Sequence, residues 1–100
     1  MIIRTVRMIF IPEKTEQFLT LFEQVAPAIR RFPGCHHLEL WQDTRFSNIF
    51  TTYSHWISNE ALQRYRESAL FKQTWQDTRK LFAAPPVAHS YRLKVKIDAN

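Results

Sequence analysis

The sequence has one cysteine and one glycine in 100 residues. A lone thiol at Cys35 cannot close an internal disulfide, which suits a reducing, cytoplasmic setting. With one glycine and five prolines there is no low-complexity linker. The longest apolar stretch, MIIRTVRMIFI at the N-terminus, is interrupted by Arg4 and Arg7, so neither a signal peptide nor a membrane span is expected. No HxH or HExxH spacing appears, no metal site is expected, and no cofactor motif is present. Acidic residues number 9 against 14 basic ones, a net charge of +5. That excess suits an anionic partner or an ordinary solvated surface. RNA-recognition strands need a basic start and a glycine. The strand-like segment NIFTTYSHW has neither, so no nucleic-acid role is expected.

What is abundant is apolar and aromatic. Hydrophobic residues make up 45% of the chain and aromatic ones 14%. This is the composition of one globular domain spanning residues 1–100. A domain of this size buries only about two-thirds of its unfolded surface, so apolar surface is left for a partner.

Periodicity gives the elements. Ile2–Ile11 reads as a strand with apolar residues on both faces, ending at Pro12. Phe18, Leu19, Leu21, Phe22, Val25, Ile29 and Phe32 recur at helical spacing, predicting a helix from about Pro12 to Arg31. Pro27 is expected to bend that helix or free a carbonyl. Cys35–Gln42 and Asn48–Trp56 flank a short turn and predict an antiparallel hairpin. Ser58 is placed to cap a helix through Tyr65, with Ile57 and Leu62 as a hydrophobic staple. Ser68 is placed to cap a second helical segment, carrying Leu70, Phe71, Trp75, Leu81 and Phe82 up to Pro85-Pro86. Val87–Ile97 is the last strand.

The order β-α-β-β-α-β is the ferredoxin-like pattern of the α+β class, a four-stranded antiparallel sheet with helices on one face. The helices leave the other face open, and a second copy of the chain would cover it, making a homodimer.

The stretch FPGCHHLELWQD followed by NIFTTYSHWISNEALQRYRESALF resembles the antibiotic biosynthesis monooxygenase superfamily. The carrying features are Pro33-Gly34-Cys35 opening a strand, Trp56 closing the next, Ser58-Asn59-Glu60-Ala61-Leu62 at a helix start, and Ser68-Ala69-Leu70-Phe71 at the following turn. The resemblance implies a dimeric α/β barrel with a cleft between sheet and helices. It also implies cofactor-free oxygenation of quinols or polycyclic phenols, or haem degradation. The haem-degrading branch uses an Asn on strand one and a later His. Those positions fall near Val6 and on Trp75, so haem chemistry is not expected. Quinol-oxidising members often carry Glu and His where this chain has Ser54 and Tyr65.

Cofactor-free oxygenation needs a base, a dry aromatic pocket and donors for developing negative charge. The candidate catalytic residues are Arg4, to stabilise a phenolate or enolate, Tyr65 and His37. Trp56, Phe71, Trp75 and Phe82 are the expected pocket, and their bland alternative is plain core. Arg4's alternative is a solvated strand edge, and that of His37 an interface or surface position. His37 shares a strand face with Glu39, and His55 faces away from Trp56. Cys35 is expected to be a buried small residue. The expected activity is monooxygenation of a small phenolic or aromatic compound. The competing expectation is a non-catalytic barrel that binds such a molecule.

Overall fold

The computed structural model describes residues 1–99. Its elements run β1 (Ile2–Ile9), a 3-10 turn (Pro12–Lys14), α1 (Thr15–Arg30), β2 (Cys35–Gln42), β3 (Ile49–Trp56), α2 (Asn59–Glu67), α3 (Ala69–Arg79) and β4 (Val87–Tyr91). The four strands form one antiparallel sheet in the order β2-β3-β1-β4. This is the ferredoxin-like arrangement that the order of elements predicts. Among the described residues no helix is long and apolar enough to cross a membrane.

β1 is central because both its edges are used. It pairs with β3 from Ile2↔Trp56 to Ile9↔Ile49, and with β4 from Ile3↔Tyr91 to Arg7↔Val87. Its even residues Val6 and Met8 face the helices with Phe50 of β3 and Leu40 of β2. Two clusters fill the space beneath. Met8, Phe10, Phe18, Phe50 and Leu81 form one, and Cys35, Trp56, Ala61 and Leu62 form the other. Phe10 is 0% exposed and Trp56 1%. Each such side chain contributes about 1.5–3 kcal/mol through burial. The Phe10 and Phe18 rings stack at 4.0 Å.

Several boundaries differ from the sequence expectation. Pro12 opens a 3-10 turn, and the α-helix begins only at Thr15. α1 runs through Pro27 to Arg30. Pro27 lacks an N–H, so the Glu23 carbonyl loses its helical donor, but the helix is not broken. α3 stops at Arg79, because Leu81 and Phe82 leave it to pair with the residues just after β1: Ile11 N–H donates to the Leu81 carbonyl at 2.9 Å, and Phe82 bridges Phe10. Ile57 stays 55% exposed, so the staple with Leu62 does not bury it. β4 ends at Tyr91 rather than Ile97. Tyr91 already pairs with Ile3 near the start of β1, so the residues that follow have no strand left to join. Leu93, Val95 and Ile97 are therefore 64%, 69% and 88% exposed.

Candidate active site

Between the sheet and the helices lies a cavity of about 280 Å³. Its walls come from both core clusters. β1 supplies Arg4, Val6 and Met8, and β3 supplies Thr52, Ser54 and Trp56. α1 contributes the apolar stripe Phe18, Leu21, Phe22, Val25 and Ile29. α2 contributes Leu62, Tyr65 and Arg66, and α3 contributes Phe71, Thr74, Trp75 and Thr78.

The helix caps set the α2–α3 wall. The Ser58 hydroxyl accepts the Ala61 N–H at 3.1 Å and starts α2. The Ser68 hydroxyl accepts the Phe71 N–H at 3.1 Å and donates to the Tyr65 carbonyl at 2.6 Å. One extended residue therefore closes α2 and opens α3. This brings Tyr65 and Phe71 together, with ring centroids 5.2 Å apart. Tyr65 also stacks on Trp56 at 4.8 Å, and Phe71 stacks on Trp75 at 5.8 Å. The result is a continuous aromatic wall, each pair adding about 0.5–1.5 kcal/mol beyond its burial.

Polar groups in the cavity are few and held. The Trp56 indole N–H donates to the Ser54 hydroxyl at 3.0 Å. The Arg4 guanidinium donates to the Ser90 hydroxyl at 2.9 Å. Burial, and then the neighbouring Arg66 charge, lower the Arg4 pKa. Burial pushes the Tyr65 hydroxyl far above the ordinary tyrosine range, with Cys35 adding to it. Tyr65 is therefore a phenol throughout the neutral range, able to donate a hydrogen bond and unable to serve as a ready base. No carboxylate and no histidine lines the cavity among the described residues.

The expected site residues divide accordingly. Arg4, Tyr65, Trp56, Phe71 and Trp75 meet at the cavity. Phe82 does not line it; it packs behind Trp75 at 5.5 Å and against Phe10 at 5.4 Å. His37 lies outside it, on the opposite face of the sheet. A strict two-residue alternation from buried Cys35 would aim His37 at the helices. A bulge between Cys35 and His37 shifts the register from Cys35↔Trp56 to His37↔His55, and turns His37 outward. There it contacts Glu39 at 2.5 Å, while Trp41 donates to Glu39 at 2.7 Å and His55 contacts the Tyr53 hydroxyl at 2.7 Å. The Trp41 and His37 hydrogen bonds hold the Glu39 carboxyl below the usual range. Among the described residues no three His, Cys, Asp or Glu side chains are grouped to hold a metal. Arg66 is the site residue that sequence reasoning missed. Its signal was its position four residues after buried Leu62, on the same helical face.

Residues 1–77 match the antibiotic biosynthesis monooxygenase (ABM) family. The chain belongs to the ABM family. Solved structures agree on the fold. A conserved protein from Methanosarcina mazei is 22% identical with a TM-score of 0.87, over 93% of each chain. A structure described as an antibiotic biosynthesis monooxygenase is 16% identical with a TM-score of 0.89, over 95% of this chain and 100% of that one. A Mycobacterium tuberculosis protein is 14% identical with a TM-score of 0.87, over 97% and 98%. No curated protein matches the chain. Within the ABM match fall β1, α1, β2, β3, α2 and most of α3, and so Arg4, Trp56, Tyr65, Arg66, Phe71 and Trp75.

Proposed function

We propose that this ABM chain is a cofactor-independent monooxygenase of a small phenolic, quinol-type or polycyclic aromatic compound. The observation that supports this most is the aromatic-walled cavity of about 280 Å³, with Arg4 and Tyr65 among its lining. A flat ring stacks against the Tyr65–Phe71–Trp75 wall, and the apolar stripe of α1 keeps water out. Arg4 holds the substrate oxygen as an anion, and Tyr65 donates a hydrogen bond as charge develops.

The chemistry then belongs to substrate and dioxygen. The substrate anion gives one electron to dioxygen, leaving a substrate radical and superoxide. The two combine through a new carbon–oxygen bond and, with one proton, form a hydroperoxide. Its O–O bond breaks as the same carbon loses its hydrogen as a proton. One oxygen stays as a carbonyl and the other leaves as water. The test is oxygen uptake with a panel of anthrones and hydroquinones, with and without chelator. Protein-dependent, chelator-insensitive consumption with an anthraquinone or quinone product is expected. Silence across the panel would sink the oxygenase reading.

We also propose that the chain works as a homodimer through the helix-free face of the sheet. Exposed Trp41, Val87 and Tyr91, together with Leu93, Val95 and Ile97, support this reading. A second functional reading, a barrel that binds an aromatic molecule without turning it over, is favoured by one observation: no carboxylate or histidine lines the cavity among the described residues. Ligand-induced thermal stabilisation without oxygen uptake would select it.

A further inference from the structure

The cavity is lined by two positive charges and, among the described residues, by no negative one. Arg4 reaches it from β1 and Arg66 from α2. Ion pairs among the described residues are His37–Glu39 and Lys96–Asp98, so neither arginine has a carboxylate partner. The polar partner of Arg4 is the neutral Ser90 hydroxyl, which leaves its charge uncompensated. Both guanidinium-bearing side chains line the same cavity, Arg4 from the sheet side and Arg66 from the helix side, and burial first and the Arg66 charge second lower the Arg4 pKa. Two like charges at the rim of one cavity, one half-buried and one exposed, repel each other. An anion between them reverses that sign, and a guanidinium fork suits an oxygen anion geometrically.

We propose that Arg4 and Arg66 form an anion clamp that selects flat aromatic monoanions, the ring lying in the cavity and the negative oxygen between the two guanidiniums. The clamp deepens the reading of the cavity as a ligand site and does not depend on oxygenation. It also meets a chemical need. With Tyr65 held as a phenol and no carboxylate or histidine in the lining, the protein has no ready proton acceptor there. Two cations lower the pKa of a bound phenol instead, so the ligand enters ionised or releases its proton to water.

The phenolate and carboxylate sources separate experimentally. Calorimetric titration of the full chain with 1-naphthoate and with neutral 1-naphthamide is expected to show the anion binding about tenfold or more tightly. In a second arm, 4-nitrophenol reports its own ionisation by absorbance. Bound to the protein it is expected to ionise about one pH unit lower than when free. The titratable groups facing the ligand are Arg4 from β1 and Tyr65 and Arg66 from α2, with Cys35 behind Tyr65. α1, β3 and α3 contribute none to the lining. Arg4→Gln and Arg66→Gln are each expected to reduce the preference for the anion over naphthamide about tenfold.

Arg66 is exposed, so Arg66→Gln leaves the fold intact and keeps the test decisive if Arg4→Gln fails to fold. Equal affinities for anion and amide together with an unshifted 4-nitrophenol, no binding of either anion, or a preference untouched by Arg66→Gln would overturn the clamp. A shift for 4-nitrophenol without a preference for naphthoate would restrict it to phenolates. A charge-selective cavity with no oxygen uptake would leave the clamp standing and end the oxygenase reading alone.

Discussion

Gly34 is the chain's single glycine, and it stands at φ +92°, where an L side chain is strained. A Cβ there would sit 2.5 Å from the Ala61 Cβ, on a helix that walls the cavity. Gly34→Ala is therefore expected to cost about 2 kcal/mol or more, read as a lower midpoint in denaturant unfolding. An unchanged midpoint would mean that the loop and α2 separate freely. Cys35 and Tyr65 carry a second consequence. Burial raises both above their ordinary values of 9.0 and 10.0. The folded chain keeps these protons while the unfolded chain releases them, so the stability they contribute is full below about pH 9 and falls as pH rises further. Thermal melts across the alkaline range are expected to show that decline, and Tyr65→Phe to flatten it. At this scale the sequence was legible at Cys35, expected as a buried small residue and 5% exposed. It was opaque at Arg66, because a basic residue on a helix is ordinarily solvated.

At the scale of elements, the starts of α2 and α3 were the most readable features, whereas α1 begins three residues later than its expected start at Pro12. Ser58 and Ser68 each cap a helix through the side-chain oxygen that their position suggested. Ser68→Ala removes an acceptor for Phe71 N–H and a donor to the Tyr65 carbonyl. It is expected to cost about 1–2 kcal/mol by chemical denaturation, and to loosen ligand binding as Tyr65 and Phe71 part. Strand faces were less readable. The bulge after Cys35 inserts one residue inside an unbroken Cys-His-His run, and it alone decides that His37 leaves the cavity side. The end of β4 was hidden too. Alternation continues through Leu93, Val95 and Ile97, but pairing stops where β1 runs out.

Among the described residues, one sheet face and the exposed residues that follow Tyr91 lack intrachain cover. If a second copy covers them, light scattering at micromolar concentration is expected to give twice the 12.0 kDa chain mass. Replacing Leu93, Val95 and Ile97 together with Ser is expected to shift that mass toward the monomer while circular dichroism stays unchanged, because these residues are exposed within one chain. A constant mass of one chain at all concentrations would remove the dimer. The fold at this scale was legible because β-α-β-β-α-β patterning is a property of many residues at once, which tolerates local misreadings. The cavity was only half legible: its aromatic wall follows from helical spacing, but its charge depends on two residues 62 positions apart in the chain, Arg4 and Arg66.

Ser68 is the entire joint between α2 and α3, so the spacing of the cavity wall is written into chain length as well as into side chains. One added residue there would rotate Phe71 and Trp75 about 100° around their helix relative to Tyr65. The hairpin turn at 43–47 faces solvent and lies apart from the cavity, so it can lengthen without altering the wall. Length variation among descendants of this sequence should therefore collect at the hairpin and spare the corner, and the corner should drift in residue identity before it drifts in length.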